Sequence, residues 1–312
     1  MSSMAANTVS RGCKRLQGAL VREVLAATET VLFDCDGVIW NGETAVPGAP
    51  EVIEQLRNEG KGVFFVTNNC TRSKDQVLQK FTRLGFTGVR QDEIFSSSYC
   101  SALYLKEFAQ LQGKVYVIGG QGVHGELQNA DIDYVTEQNG GTLEGPVADL
   151  PLDPEIKAVL VGYDENFSFL KLAKACAYLR NPDCLFLATD PDPWHPLRGG
   201  RFTPGTGSLT AAVETAANRK ATVIGKPSRF IFDCIVSRFG IESSRTLMIG
   251  DRLEADILFG TNCGIATVLT LTGVSQLEDV QAHMESDDPV HKDLVPSYYI
   301  DSIADFMPEV QD

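Results

Sequence analysis

Two carboxylates one residue apart, Asp34 and Asp36, stand directly after the apolar run Val31-Leu32-Phe33 and just before Gly37. Acids this close repel each other, and an apolar flank adds a desolvation cost to each. A divalent cation removes both costs, and hard carboxylate oxygens suit Mg²⁺. The run has the continuous apolar character of a buried parallel strand, and ligands of α/β sheets bind beyond the carboxyl ends of such strands. Asp-x-Asp-Gly also occurs in ordinary surface turns, because Asp and Gly favour turn geometry. Residues further along the chain decide between these readings.

Three more polar groups come directly after apolar runs, in order. Val63-Phe64-Phe65-Val66 ends in Thr67-Asn68-Asn69; residues 221–225 end in Lys226-Pro227; residues 245–250 run into Asp251-Arg252-Leu253-Glu254-Ala255-Asp256. Singly, these are a turn, a snorkelling lysine and a helix cap. Together, each directly behind a strand, they are predicted to converge on one edge of a doubly wound sheet.

The elements that would position them alternate regularly. After the first strand, helical spacing covers residues 51–58, a second strand lies within 61–69, and a second helix covers 72–84. Strand–helix alternation at this spacing predicts a parallel, doubly wound (Rossmann-like) α/β core. From about residue 100 the alternation restarts as a separate unit, with strands at 114–120, 158–163 and 184–189 and a helix at 167–179. Gly119-Gly120-Gln121-Gly122 lacks the dinucleotide-binding spacing and reads as a tight turn. Residues 137–150 read as an exposed loop. Asp190 to Leu197 holds Pro191, Pro193 and Pro196 and is expected to be a stiff loop without regular structure. A helix at 208–218, a strand at 221–225, a helix at 228–239 and strands at 245–250, 266–271 and 298–300 return the chain to the core. The expected division is a tail at 1–20, a core of 21–100 and 206–312, and an inserted cap at 101–205.

The bulk numbers exclude some partners. A net charge of −14 argues against nucleic acid and anionic membrane, so an anionic substrate must be drawn in by local groups. No apolar run reaches the ~20 residues that span a bilayer, and no signal-peptide core precedes Leu20. The eight cysteines form no Cys-x-x-Cys pair and read as reduced thiols of a cytoplasmic protein.

The ordered motifs resemble the haloacid dehalogenase superfamily of phosphatases, in the branch with a large α/β cap, over nearly the whole chain. The resemblance implies a Mg²⁺-dependent phosphoric monoester hydrolase. Asp34 would be the nucleophile, Asp36 the acid and base, and Lys226 the cation between carboxylate and phosphoryl group. Asp34 and Asp251 would ligate Mg²⁺ through side chains, and Asp36 through its backbone carbonyl. Thr67, Asn68, Asn69 and Lys226 would bind the phosphoryl oxygens, and Asp256 would orient Lys226 or a metal-bound water from behind. A second Asp at position 36 fits a phosphatase; the family's ATPases carry Thr there, and its dehalogenases lack the acid.

For the substrate the resemblance is divided. Ala188 to Leu197 is similar to the specificity loop of pyridoxal 5′-phosphate phosphatases, with His195 against the substrate. Gly225 to Cys234 is closer to phosphoglycolate and glycerol-3-phosphate phosphatases. A small phosphorylated substrate is expected, pyridoxal 5′-phosphate first, with a phosphoserine protein a third candidate and a homodimer joined through the caps. A catalytically silent phosphate-binding regulator would have lost Asp34, Asp36 or Lys226, and all three are present. A phosphotransferase would need a sugar acceptor site, for which no run of residues stands out.

Overall fold

Seven strands form one parallel sheet in the order Lys14–Arg15, Tyr298–Ile300, Ala266–Thr270, Thr246–Gly250, Thr30–Phe33, Gly62–Thr67, Ile94–Ser96. The structure, a computed structural model, describes residues 12–143 and 145–307. The chain begins the main run of this sheet in the middle, at Thr30–Phe33, and steps outward to Ile94–Ser96. It later re-enters beside its starting strand, at Thr246–Gly250, and steps outward the other way to Tyr298–Ile300. The reversal lies between Thr30–Phe33 and Thr246–Gly250, which pair from Thr30↔Thr246 to Phe33↔Ile249. Such a switch point leaves a crevice beyond the strand ends. Asp34 and Asp251 follow the two strands that flank it.

Side chains alternate across the sheet. Val31, Phe33, Val63 and Phe65 pack with the helix Ala49–Asn58 on one face, and Leu32, Phe64, Val66 and Met248 pack on the other. Each fully buried Phe or Leu contributes about 1.5–3 kcal/mol, enough to fix strand register against a one-residue slip.

Five more strands form a second parallel sheet, ordered Thr222–Val223, Leu185–Ala188, Ile156–Val161, Lys114–Ile118, Tyr134–Val135. The helix Ser97–Leu103 follows the last core strand and leads towards it. Val115, Val117, Leu160 and Leu187 on its inner face share one apolar layer with core residues such as Phe95 and Ile231.

The expected return to the core at residue 206 comes later. The helix Thr206–Ala217 packs on the cap helix Phe169–Leu179, and Thr222–Val223 pairs with Leu187–Ala188 as an edge strand of the second sheet. Lys226 therefore stands just behind a cap strand, not a core strand. Two other expectations change. Lys14–Arg15, assigned to the tail, pairs with Tyr298–Tyr299 at the core's edge; residues 1–11 of that tail lie outside the described residues. The proline-rich stretch is not irregular: Trp194–Pro196 pairs antiparallel with Phe202–Pro204 in a two-stranded ribbon. Both strands of such a ribbon are edges, where a proline's missing N–H is tolerated.

Candidate active site

Lys226 is the hub of the site. It is 1% exposed, and its Nζ donates to Asp34 Oδ1 at 2.5 Å, Asp256 Oδ1 at 2.6 Å and the Val66 carbonyl at 2.8 Å. The three ammonium protons thus have three acceptors. Burial alone would lower this lysine's pKa, but Asp256 and Asp34 hold it well above the ordinary value.

Asp34, Asp251 and Asp256 are all buried, with a carboxylate oxygen from each within 4.8 Å of the others. Burial pushes Asp34 well above the usual carboxylate range, with Lys226 opposing the shift and Asp256 adding to it. Burial, then Asp256, raises Asp251 to about 7. Three buried acids against one lysine leave excess negative charge. The chemistry of this donor set, hard oxygens in surplus over cations, fits a divalent ion.

The three acids are not equivalent. Asp256 Oδ2 accepts from the backbone N–H groups of Asp251 and Arg252, both at 3.0 Å, while its Oδ1 takes Lys226. Its oxygens are engaged in shaping the turn, which leaves Asp34 and Asp251 as the side chains free to ligate. Asp251 Oδ2 also accepts from Val274 N at 2.8 Å. Two glycines press backbone against this carboxylate: a Cβ at Gly37 would lie 2.3 Å from Asp251 Oδ2, and one at Gly273 1.9 Å. Gly37 additionally sits at φ +85°, a conformation glycine adopts without penalty.

Asp36 points elsewhere. Its side chain is 44% exposed and lies outside the acidic cluster, held by Trp40 Nε1 at 2.9 Å and Asn69 Nδ2 at 3.1 Å. Lys80 Nζ is 3.8 Å away. The carboxyl is oriented by donors yet open to a reacting group.

The Thr67-Asn68-Asn69 turn divides its labour in a way the sequence does not reveal. Thr67 Oγ1 accepts from Asn69 N at 3.0 Å, leaving the hydroxyl proton to donate. Asn68, expected to bind phosphoryl oxygens, has its side chain committed: Nδ2 donates to the Lys226 carbonyl at 2.9 Å, and Oδ1 accepts from Lys226 N at 2.8 Å. It clamps the lysine's backbone, so only its own main chain can meet a phosphoryl group. The Asn69 side chain is committed likewise, donating to Asp36 and accepting from Thr71 N and Oγ1.

His195 sits in the ribbon, opposite Thr203. Its ring meets Tyr163 at 5.7 Å between centroids, edge to face, and Tyr163 Oη lies 3.2 Å from Thr203 Oγ1. Burial lowers the His195 pKa, with Asp192 opposing the shift and Arg252 adding to it. Arg252, the residue after Asp251, reaches this ribbon, its Nη2 donating to the Trp194 carbonyl at 3.1 Å, which puts the ribbon beside the catalytic edge. A cavity of about 930 Å³ lies on the cap beyond Tyr163, lined among others by Thr71, Gly119, Gly120, Tyr163 and Glu165, and neither His195 nor the acid cluster lines it.

Sequence reasoning missed Tyr163, Lys80 and the loop Thr272 to Ser275. That loop follows the strand Ala266–Thr270 as the other motifs follow theirs, and Gly273 was its one visible signal.

Comparison with known proteins agrees with this geometry. Residues 31–133 match the family model for haloacid dehalogenase-like hydrolases, and residues 223–304 match a second HAD-hydrolase-like model. The chain is 52% identical to chronophin of Bos taurus over 304 residues, covering 96% of this chain and 99% of that one. It is 48% identical to glycerol-3-phosphate phosphatase of Gallus gallus over 312 residues, covering 98% and 100%. The crystal structure of the glycerol phosphate phosphatase of Mycobacterium tuberculosis in complex with magnesium superposes with a TM-score of 0.73 at 26% identity, covering 91% of this chain and 78% of that one. The first family model carries Asp34 and the second carries Lys226, Asp251 and Asp256, and the chain belongs to the haloacid dehalogenase-like hydrolases, as a phosphatase of that family.

Proposed function

We propose that this phosphatase hydrolyses small phosphate monoesters, pyridoxal 5′-phosphate first, through a phosphoryl group carried on Asp34, with Mg²⁺ held by Asp34, Asp251 and the Asp36 carbonyl. The observation that carries the mechanism is the separation of the two motif acids. Asp34 is buried against Lys226, and Asp36 is turned out and oriented by Trp40 and Asn69. One carboxylate is placed to attack and the other to move a proton.

In the first step an Asp34 oxygen bonds to phosphorus, the ester P–O bond breaks, and Asp36 gives its proton to the departing oxygen. In the second step the Asp36 carboxylate takes a proton from water, which attacks the same phosphorus. The Asp34–phosphorus bond breaks and inorganic phosphate leaves. When bound, Mg²⁺ supplies positive charge to the phosphoryl oxygens and offsets the acid cluster. Lys226 holds the attacking carboxylate and adds its own charge, Asn68 fixes the backbone that carries Lys226, and Asp256 fixes Lys226 from behind. Thr67 donates to a phosphoryl oxygen. Preorganised charge of this kind is what phosphoryl transfer requires, since the protein has little covalent chemistry to add.

His195 and Tyr163 support the choice of substrate. They offer aromatic surface and a hydrogen-bonding ring edge, which suits a flat pyridine carrying a phenolic oxygen. The relative named glycerol-3-phosphate phosphatase and the resemblance around Lys226 support a second reading, with glycerol 3-phosphate or phosphoglycolate as substrate. The exposure of Leu197 and Phe202 on the cap supports a homodimer joined through the caps.

The test is a panel of pyridoxal 5′-phosphate, glycerol 3-phosphate, phosphoglycolate and a phosphoserine peptide, compared by kcat/KM with Mg²⁺. Acid-quenched Asp34→Asn is run in parallel. Highest kcat/KM for pyridoxal 5′-phosphate, and loss of both turnover and the acid-trapped phosphoenzyme in the variant, are expected. Retained turnover in Asp34→Asn overturns the mechanism; preference for another ester overturns the substrate.

A further inference from the structure

Arg252 immediately follows Asp251, yet its side chain serves the other domain. Its Nη2 donates to the Trp194 carbonyl at 3.1 Å, its guanidinium lies 5.0 Å from the centre of the Trp194 ring, and its Nη1 faces Asp192 Oδ1 at 3.8 Å. Trp194 and Asp192 belong to the cap ribbon and the segment leading into it; Arg252 belongs to the core crevice. The residue is only 8% exposed, and Asp192 is 8% exposed, so the charges meet away from bulk solvent. A planar guanidinium that stacks, donates and pairs at once is a contact a lysine cannot reproduce.

The base of this arm is fixed. Arg252 N is bonded to Asp256 Oδ2, the same carboxylate that shapes the turn and whose other oxygen takes Lys226. The ribbon has a second support on the cap side, where Tyr163 meets Thr203. His195 is the cross-strand partner of Thr203 and the neighbour of Trp194. Its position is therefore set from both sides, by a cap tyrosine and a core arginine.

We infer that Arg252 is a positioning residue for substrate selection: it ties the cap ribbon to the turn that presents Asp251 and thereby sets the placement of His195 over the catalytic edge. A ribbon only a few residues long, whose strands are both edges, has little stability of its own. Without the arginine it would keep its Tyr163 support and lose its register against the core. Substrates whose leaving group reaches the ribbon would suffer more than those that need only the phosphoryl site.

The inference rests on the phosphatase reading above, and its test separates the two. Arg252→Ala and Arg252→Lys are compared with wild type and His195→Ala by hydrogen exchange of residues 190–205, and by kcat and KM for pyridoxal 5′-phosphate and p-nitrophenyl phosphate with Mg²⁺. In Arg252→Ala, exchange within 190–205 is expected to rise about tenfold while the strand Thr30–Phe33 keeps its protection, a loss of the order of one charge-assisted contact. KM for pyridoxal 5′-phosphate is expected to rise about 5- to 30-fold, with a smaller change for p-nitrophenyl phosphate. Arg252→Lys is expected to fall between, and it provides the comparison if the alanine variant does not fold. Unchanged exchange in 190–205, or equal loss on both substrates, overturns the role of Arg252. Unchanged discrimination in His195→Ala, with exchange altered in Arg252→Ala, instead overturns the substrate reading and leaves the tether standing.

Discussion

The Asn68 clamp yields the sharpest prediction. Asn68→Ala removes two hydrogen bonds to the backbone of Lys226, each of net worth about 1 kcal/mol. The buried N–H and C=O left without partners set the cost in place of that net worth, at about 1–2 kcal/mol each once water enters the space vacated. A stability loss of about 2–4 kcal/mol is expected, a large fraction of the roughly 5–15 kcal/mol that holds a typical domain. Urea denaturation reads it as a lower midpoint with an unchanged slope. In kinetics, kcat is expected to fall with little change in KM, because a displaced Lys226 fails the attacking Asp34 more than it fails the bound substrate. A phosphoryl-binding carboxamide would behave in the opposite way. A variant whose stability stays within about 0.5 kcal/mol of wild type, and whose KM alone rises, refutes the clamp.

Metal binding carries a pH signature. Burial raises Asp34 and Asp251 above their unfolded values, so in the metal-free protein the contribution of Asp251 to stability is full below the unfolded pKa of about 4 and is lost as pH rises through its folded value of about 7, with Asp34 acting in the same direction. A divalent ion binds the ionised forms, so the rise in melting temperature on adding Mg²⁺ is expected to be larger at pH 8 than at pH 5.5; an equal rise at both speaks against the acid cluster as the metal site. EDTA is expected to abolish turnover and Mg²⁺ to restore it, and full activity in EDTA counts against a metal-dependent reaction. His195→Ala is expected to lower kcat/KM for pyridoxal 5′-phosphate by about 1–3 kcal/mol, the scale of one hydrogen bond, and for p-nitrophenyl phosphate by less; equal loss on both substrates removes His195 from the substrate's side.

The catalytic edge was legible because parallel strands buried on both faces write themselves as unbroken apolar runs, and polar residues right behind them stand out. Asp34, Lys226 and Asp251 were found that way, and the structure brings all three together. Partner choice was not legible. Thr222–Val223 reads the same whether its neighbour is a core or a cap strand, and only the fold assigns it to the cap. Asn68 looked like a ligand because a carboxamide at a strand end is chemically able to be one; that its two polar atoms meet the main chain of Lys226, far along the chain, is tertiary information. The prolines around His195 masked a ribbon for the opposite reason. Propensity spoke against strands where pairing between two edges overrides it.

The position of Thr30–Phe33 has a consequence for biosynthesis. This strand lies between Gly62–Thr67 and Thr246–Gly250, so the first core segment leaves the ribosome with one side of its central strand unpaired. The cap sheet, by contrast, is encoded without interruption from Lys114 to Val223 and can close before its host does. Chain order lets the insert close first, while the host waits for residues that arrive last. Until then the nascent core carries an open edge able to pair with another chain, and an Asp34 whose partner Lys226 has yet to be made. A chain that stops after Val223 would bear a finished insert on an unfinished host, with association through the Thr30–Phe33 edge as its characteristic failure.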